Sequence, residues 1–148
     1  MPQIYIAKHT HIVALAVCCV IGCNGNSPTD NVGRVVAVPY SESLQPLVGT
    51  WESEGKVALI VEHEGSELTI QVPEKEYWRV ELADATVSDD RVQYVQRNYL
   101  RRETDHPFSG LAINCTISPI PGDPDGLEII LTAEDPPQSE SGIYRRAK

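Results

Sequence analysis

Two stretches late in the chain, LAINCTIS (residues 111–118) and LEIILTAE (residues 127–134), indicate the fold class most directly. In each stretch, an apolar residue occupies every second position. Successive side chains of a β-strand point to opposite faces, so this alternation predicts two strands with one buried face each. The segment between them, Pro119–Gly126, contains three prolines and two glycines and predicts a loop that no central strand accommodates. Together the two strands form a predicted hairpin.

The same period of two recurs upstream, interrupted by turn residues about every ten positions. No segment after residue 44 shows the 3.6-residue period of a helix. The chain therefore predicts an all-β domain from Leu44 to Lys148, a small antiparallel up-and-down barrel or roll of about eight short strands. The further predicted strands include Val57–Val61, Leu68–Val72, Trp78–Leu82, Val92–Tyr99 and Ile143–Arg146.

The charge of the chain limits its partners. The 148 residues contain 12 Lys and Arg against 21 Asp and Glu, a formal net charge of −9. The nearest approach to a basic patch is Arg97, Arg101 and Arg102, and acidic Glu103 and Asp105 follow it directly. A nucleic-acid surface needs concentrated positive charge, so the composition predicts no nucleic-acid partner.

The amino terminus has the layout of a secretory signal peptide. Residues 1–11 carry a lysine and no acid, and Ile12–Ile21 is an uncharged apolar run of ten residues. A helix needs about 20 residues to cross a bilayer, so this run is too short to be a transmembrane span. Residues 1–22 are predicted to be a cleaved signal peptide.

The end of that run, Val20-Ile21-Gly22-Cys23, resembles the lipobox of bacterial lipoproteins. In that family an aliphatic residue, a variable residue and a small residue precede an invariant cysteine. The resemblance implies cleavage between Gly22 and Cys23, with a diacylglyceryl group on the Cys23 thiol that anchors the protein in the membrane. Asn24 stands where an aspartate signals inner-membrane retention. The implied location is the cell envelope, at the periplasmic face of the outer membrane in a Gram-negative cell.

The remaining cysteines do not form a disulfide framework. Cys18 and Cys19 lie within the apolar run, and only Cys115 lies in the predicted domain. After Cys23, the polar segment Asn24–Gly33 is rich in turn residues, as in flexible linkers. Residues 23–43 are therefore predicted to be a lipidated tether, in which the brief apolar run Val35–Val38, closed by Pro39, could be an extended segment that lies on the domain.

A second resemblance lies at the start of the predicted domain. Gly49-Thr50-Trp51 is similar to the Gly-x-Trp motif that opens the first strand of lipocalin-like (calycin) barrels. In that family an arginine near the end of the last strand packs over the tryptophan. Arg145 or Arg146 stands at that place, and we take Arg145 as the barrel-closing residue together with Gly49 and Trp51. The resemblance implies an interior that carries a small apolar ligand.

A few side chains are candidates for chemistry. Cys115 could serve as a nucleophile, although its phase places it on the apolar face of a strand. His63 and His106 each have a carboxylate neighbour but lack further ligands at a telling spacing. The run from Asp123 to Gly126 has the two carboxylates and the glycine of a calcium-loop start but lacks the further ligands, so a tight turn is the plainer interpretation. We predict no catalytic residue, metal or cofactor.

Three functional hypotheses remain open. The first is a non-enzymatic envelope module that contacts another envelope protein or has a structural role. The second is a lipocalin-like carrier of a small apolar ligand. The third, an enzyme, requires His63, His106 or Cys115 to converge with carboxylates in the folded protein.

Overall fold

The computed structural model describes residues 35–102, 106 and 109–148, and most of these residues lie in antiparallel strands. The predicted signal peptide, Cys23 and the tether up to residue 34 lie outside the described residues. So does the segment Glu103–Asp105. The strands of the described part are β1 (Val35–Pro39), β2 (Gly49–Ser53), β3 (Lys56–Glu64), β4 (Glu67–Gln71), β5 (Trp78–Ser88), β6 (Arg91–Leu100), β7 (Ala112–Ile120), β8 (Asp123–Glu134) and β9 (Pro137–Arg146), with a 3₁₀ helix at Glu42–Leu47.

All nine described strands belong to one sheet that curls into a nearly closed barrel, which confirms the predicted all-β barrel class. Their order is β1-β4-β3-β2-β9-β8-β7-β6-β5, with antiparallel hydrogen bonding at every step. The two outermost strands, β1 and β5, lie side by side and complete the circuit. The order departs from a simple meander at one place, because β1 occupies the position between β4 and β5.

The folded region begins earlier than the boundary at Leu44 that the sequence predicts. Val35–Pro39, assigned above to the tether, pairs along its whole length with Glu67–Gln71 of β4. The apolar side chain of Val38 is buried in the core, and the strand satisfies backbone groups on one edge of β4. Residues 35–43 are therefore part of the barrel.

The predicted loop Pro119–Gly126 is also shorter in the structure. β7 continues to Ile120, β8 begins at Asp123, and only Pro121 and Gly122 form the turn. A register shift after Pro119 accommodates the extra residues as a β-bulge, one of the few places where a sheet tolerates proline.

The interior of the barrel is filled by the inward faces of the strands. Buried residues alternate with exposed ones along β6 and β8, so the period of two in the sequence becomes an inner and an outer face. The buried side chains make one continuous cluster, whose largest fully buried members are Trp51, Leu44, Leu47, Leu59, Leu68, Ile70, Ile113, Ile117, Leu127, Val61 and Val80.

Antiparallel strands place successive connections at opposite ends of the barrel. The capped end carries the 3₁₀ helix, whose Leu44 and Leu47 side chains are fully buried and plug the barrel. The hydroxyl of Ser43 donates a 3.0 Å hydrogen bond to the carbonyl of Asp89, which joins the helix to the β5–β6 turn. The opposite end, the loop end, holds the start of β1 and the connections at 54–55, 72–77, 101–111 and 135–136. Within the described residues, no helix combines the length and apolar character needed to cross a membrane.

Candidate functional site

The indole of Trp51 lies at the centre of the capped end. Its side chain is fully buried, and its Nε1 donates a 2.8 Å hydrogen bond to the carbonyl of Leu47. Leu47 is the last residue of the 3₁₀ helix, so this bond attaches the helix to the first residues of β2. Burial of the apolar ring and satisfaction of its single donor both stabilise this end.

A guanidinium covers the outer face of that ring. The Cζ atom of Arg146 lies 4.4 Å from the centroid of Trp51. The same group donates hydrogen bonds to the carbonyl of Val48 at 2.6 Å and to that of Pro124 at 3.0 Å. A Cβ at Gly49 would overlap the guanidinium, and Gly49 also has a φ of +150°, which side chains rarely adopt. The glycine therefore makes room for the arginine.

The choice of Arg145 as the barrel-closing residue was wrong. Adjacent residues of a strand face opposite sides, and in β9 the side chain of Arg146 turns towards Trp51. Arg145 instead forms an exposed ion pair with Asp123, 2.5 Å between Nη1 and Oδ2. That hydrogen bond lowers the pKa of the Asp123 carboxyl below its usual value, and a hydrogen bond from the Asp125 amide acts in the same direction.

Polar side chains line part of the barrel interior nearer the loop end. Tyr94, Gln96 and Asn98 alternate along β6 and all three are buried. The Nε2 of Gln96 donates to the Oδ1 of Asn98 at 2.9 Å, but the buried Nδ2 of Asn98 has no hydrogen-bond partner among the residues that the structure describes. An unsatisfied buried donor costs about 1–3 kcal/mol. The buried polar groups in this half of the barrel are thus less completely hydrogen-bonded than those of the capped end.

Cys115 lies beside this row, opposite Tyr94 on β7. Its thiol is buried, and desolvation raises its pKa to about 12. Burial also raises the pKa of the Tyr94 phenol well above its usual value. A nucleophilic cysteine requires a lowered pKa and partial exposure, so this environment is that of a structural core cysteine.

The histidines are placed apart from that thiol. His63 is exposed on β3, where its ring stacks on Tyr40 with centroids 3.5 Å apart and its Nε2 lies 2.9 Å from the carbonyl of Gly65. His106 lies in the β6–β7 connection. In the part of the chain that the structure describes, no group of three or more His, Cys, Asp or Glu residues could hold a metal ion.

The two carboxylates of the calcium-loop hypothesis, Asp123 and Asp125, are also engaged in contacts within the protein. Asp123 bonds to Arg145, and an Oδ1 of Asp125 lies 3.5 Å from the Nε of Arg146. Asp123 Oδ1 further accepts the backbone amide of Asp125 at 3.2 Å, as in an aspartate-stabilised turn. The two carboxylates shape the start of β8.

Sequence reasoning missed an unpaired edge on β9. This strand pairs with β8 from Pro137 to Arg145, but with β2 only at Arg145 and Arg146. The stretch Pro137–Ile143, which we name the free edge, has no strand on its other side among the described residues. The strand prediction began only at Ile143, because the inward positions before it are polar or glycine. Polar and turn-forming residues around 137–142 gave no period-two signal.

The comparisons with known proteins found no relatives. No family model, no curated protein and no solved structure matches this chain.

Proposed function

We propose that this protein is a bacterial envelope lipoprotein, anchored through a lipid on Cys23, whose barrel is a non-enzymatic module that binds another envelope component. The observation that carries the binding role is the continuous core that occupies the interior. A barrel filled by its own side chains recognises partners through its outer surface and its strand edges.

The separation of Cys115 from His63 supports the hypothesis of a non-enzymatic function. Cys115 is buried in the core with a raised pKa, whereas His63 is exposed and engaged by Tyr40. General acid–base or nucleophilic catalysis requires such groups within hydrogen-bond reach of one another. The triple variant His63→Ala/His106→Ala/Cys115→Ala, verified as folded, should complement a deletion strain as the wild type does, whereas failure to complement with anchoring and partner binding unchanged would replace this proposal with an enzymatic role.

The position of β1 supports an anchor close to the barrel. Val35, the first described residue, lies at the loop end, and the eleven residues 24–34 separate it from Cys23. Eleven extended residues span at most about 40 Å. The lipid on Cys23 and the loop end of the barrel would therefore lie within about 40 Å of one another.

Metabolic labelling tests the anchor. Cells fed with radiolabelled palmitate should label the wild-type protein and the Cys19→Ser variant but not Cys23→Ser, because only Cys23 is in the lipobox position. Mass spectrometry of the mature amino-terminal peptide should show diacylglyceryl cysteine. Label retained by Cys23→Ser would refute the anchor.

A lipocalin-like carrier of a small apolar ligand is the second candidate. The contact of Arg146 with Trp51 favours it, since it matches the contact that the resemblance implies, although with the neighbouring arginine. A carrier needs an interior cavity of about 300 Å³ or more. Native mass spectrometry of the full chain should show a co-purified small molecule if the carrier hypothesis holds, and the apoprotein alone if the module hypothesis holds.

A further inference from the structure

The free edge presents backbone groups that no described strand satisfies. The amide of Ala147 donates to the carbonyl of Thr50 at 2.9 Å, which makes 147 and 50 a hydrogen-bonded antiparallel pair. Hydrogen-bonded pairs recur at every second residue of a strand. By this alternation, the N–H and C=O groups of Ser139, Ser141 and Ile143 also point away from β8. These three residues lie beyond the end of β2, so no residue of β2 pairs with them.

Among the described residues, the free edge has little of the usual protection against a new strand. Natural edges are blocked by lysines, prolines, bulges, inward-pointing charges or covering segments, and the free edge carries one inward charge, Glu140. Here the outward side chains are two serines and Ile143, which is 55% exposed, and the one proline, Pro137, lies at the start of the strand. Among the described residues, Pro137–Ser141 line a shallow surface depression beside these groups. A seven-residue segment could pair here over roughly 20 Å.

The charge around the free edge selects the kind of segment. Between Gly126 and Tyr144, the β8–β9 hairpin contains no lysine or arginine. It carries three carboxylates on its outer face and in its turn, Glu128, Glu134 and Asp135. A positively charged strand is attracted to this hairpin, whereas a second copy of this chain brings the same three carboxylates and the same net charge of −9.

We propose that the free edge of β9 binds an extended, positively charged polypeptide segment of another envelope protein, which adds to the sheet as a further strand. This proposal rests on the module function above and names its partner class. Backbone hydrogen bonds to Ser139, Ser141 and Ile143 supply the contact, and the carboxylates of the hairpin supply the preference for lysine and arginine.

Amide hydrogen exchange of the full chain in detergent tests the geometry. In the free protein, the amides of Ser139, Ser141 and Ile143 should exchange rapidly, whereas the amide of Gly142, directed at β8, should be protected. The probe is a seven-residue peptide of alternating lysine and valine. Its addition should slow exchange at the three edge amides by at least about tenfold.

Two control peptides separate strand pairing from charge attraction. The same peptide with proline in place of its central valine keeps the charge but cannot complete the strand, and it should not protect the edge amides. A peptide of alternating glutamate and valine should bind at least about tenfold more weakly than the lysine peptide.

Matched variants at one position test the backbone contact. Ser141→Pro removes an N–H that points away from β8, so β8–β9 pairing is retained while affinity for the lysine peptide should fall at least about tenfold. Ser141→Ala removes only the hydroxyl and should bind as the wild type does. Equal binding by Ser141→Pro and wild type would overturn the proposal.

Three other results would also overturn it. Slow exchange of the edge amides in the free monomer would show that the chain covers its own edge. Protection that rises with protein concentration, with a dimer in light scattering, would assign the edge to a second copy. Absence of any protection by the lysine peptide would exclude a cationic strand. None of these results bears on palmitate labelling of Cys23, so a failed edge and a failed anchor are distinguishable.

Discussion

The two ends of the barrel differ in how completely their polar groups are satisfied. At the capped end, the Trp51 donor has a partner and the Arg146 guanidinium bonds to carbonyls around the rim. Towards the loop end, within the described residues, the Nδ2 of Asn98 has no hydrogen-bond partner, and no strand pairs with the outward backbone groups of Ser139 and Ser141. The capped end is built for stability, and the other half of the barrel retains unsatisfied hydrogen-bonding capacity that a partner can use.

The largest expected effect tests whether the capped end carries the stability. Trp51→Ala should lower the free energy of unfolding by about 3–5 kcal/mol, because it removes a fully buried indole and its bond to Leu47. Trp78→Ala, at a partly exposed tryptophan at the start of β5, is the control and should cost clearly less. Urea denaturation measures both. Equal losses would remove the distinction between the two ends.

The next largest effect is the difference in stability between variants of the two adjacent arginines, Arg145 and Arg146. Arg146→Ala should cost about 1–3 kcal/mol, since it removes the contact with Trp51 and the bonds to Val48 and Pro124. Arg145→Ala removes one exposed ion pair and should cost less than about 1 kcal/mol. Denaturant unfolding of both variants gives the comparison. A larger loss for Arg145→Ala would restore the original sequence prediction.

The polar interior predicts a double-mutant effect of smaller size. Asn98→Val removes the partnerless donor but leaves the Nε2 of Gln96 without its acceptor. Adding Gln96→Leu removes that second buried donor, so the double variant should be more stable than Asn98→Val by about 1–2 kcal/mol. Thermal and urea unfolding measure the difference. A double variant less stable than the single one would mean that the polar row is well satisfied in solution.

The smallest effect is a titration at the rim of the capped end. Arg145 lowers the pKa of Asp123, so the stabilisation from this pair is present above the unfolded-state pKa and is lost as the pH falls through the lower folded-state value. Carboxyl-resolved NMR should place the pKa of Asp123 below the ordinary aspartate value of 3.8. Arg145→Ala should move the midpoint up, whereas Arg146→Ala should move it less.

Local patterns predicted most of the barrel. Segments such as Leu127–Glu134 show their inner face directly in the sequence, because each core position is apolar and each outer position is free to vary. The insertion of Val35–Pro39 between β4 and β5 could not be predicted in this way. It depends on pairing with a strand about 30 residues later, and a five-residue apolar run carries no information about its partner.

The prediction of Arg145 in place of Arg146 as the barrel-closing residue also has a physical explanation. The phase of a strand is set by its apolar positions, but the inward positions of β9 before Tyr144 are Gln138, Glu140 and Gly142. Without apolar residues to mark the inner face, Arg145 and Arg146 were indistinguishable. The same polar positions concealed the start of β9 and hence the free edge.

The bond from Arg146 to the carbonyl of Val48 joins residues 98 positions apart in the chain. During folding, β2 therefore pairs with β9 only after almost the entire domain has been synthesised. Contacts between residues so far apart in the chain belong to the slow class of folding events. The early strands β1 to β4 thus remain without their last neighbour until β9 docks. Substitutions that weaken the arginine contact should therefore slow refolding as well as lower the equilibrium stability.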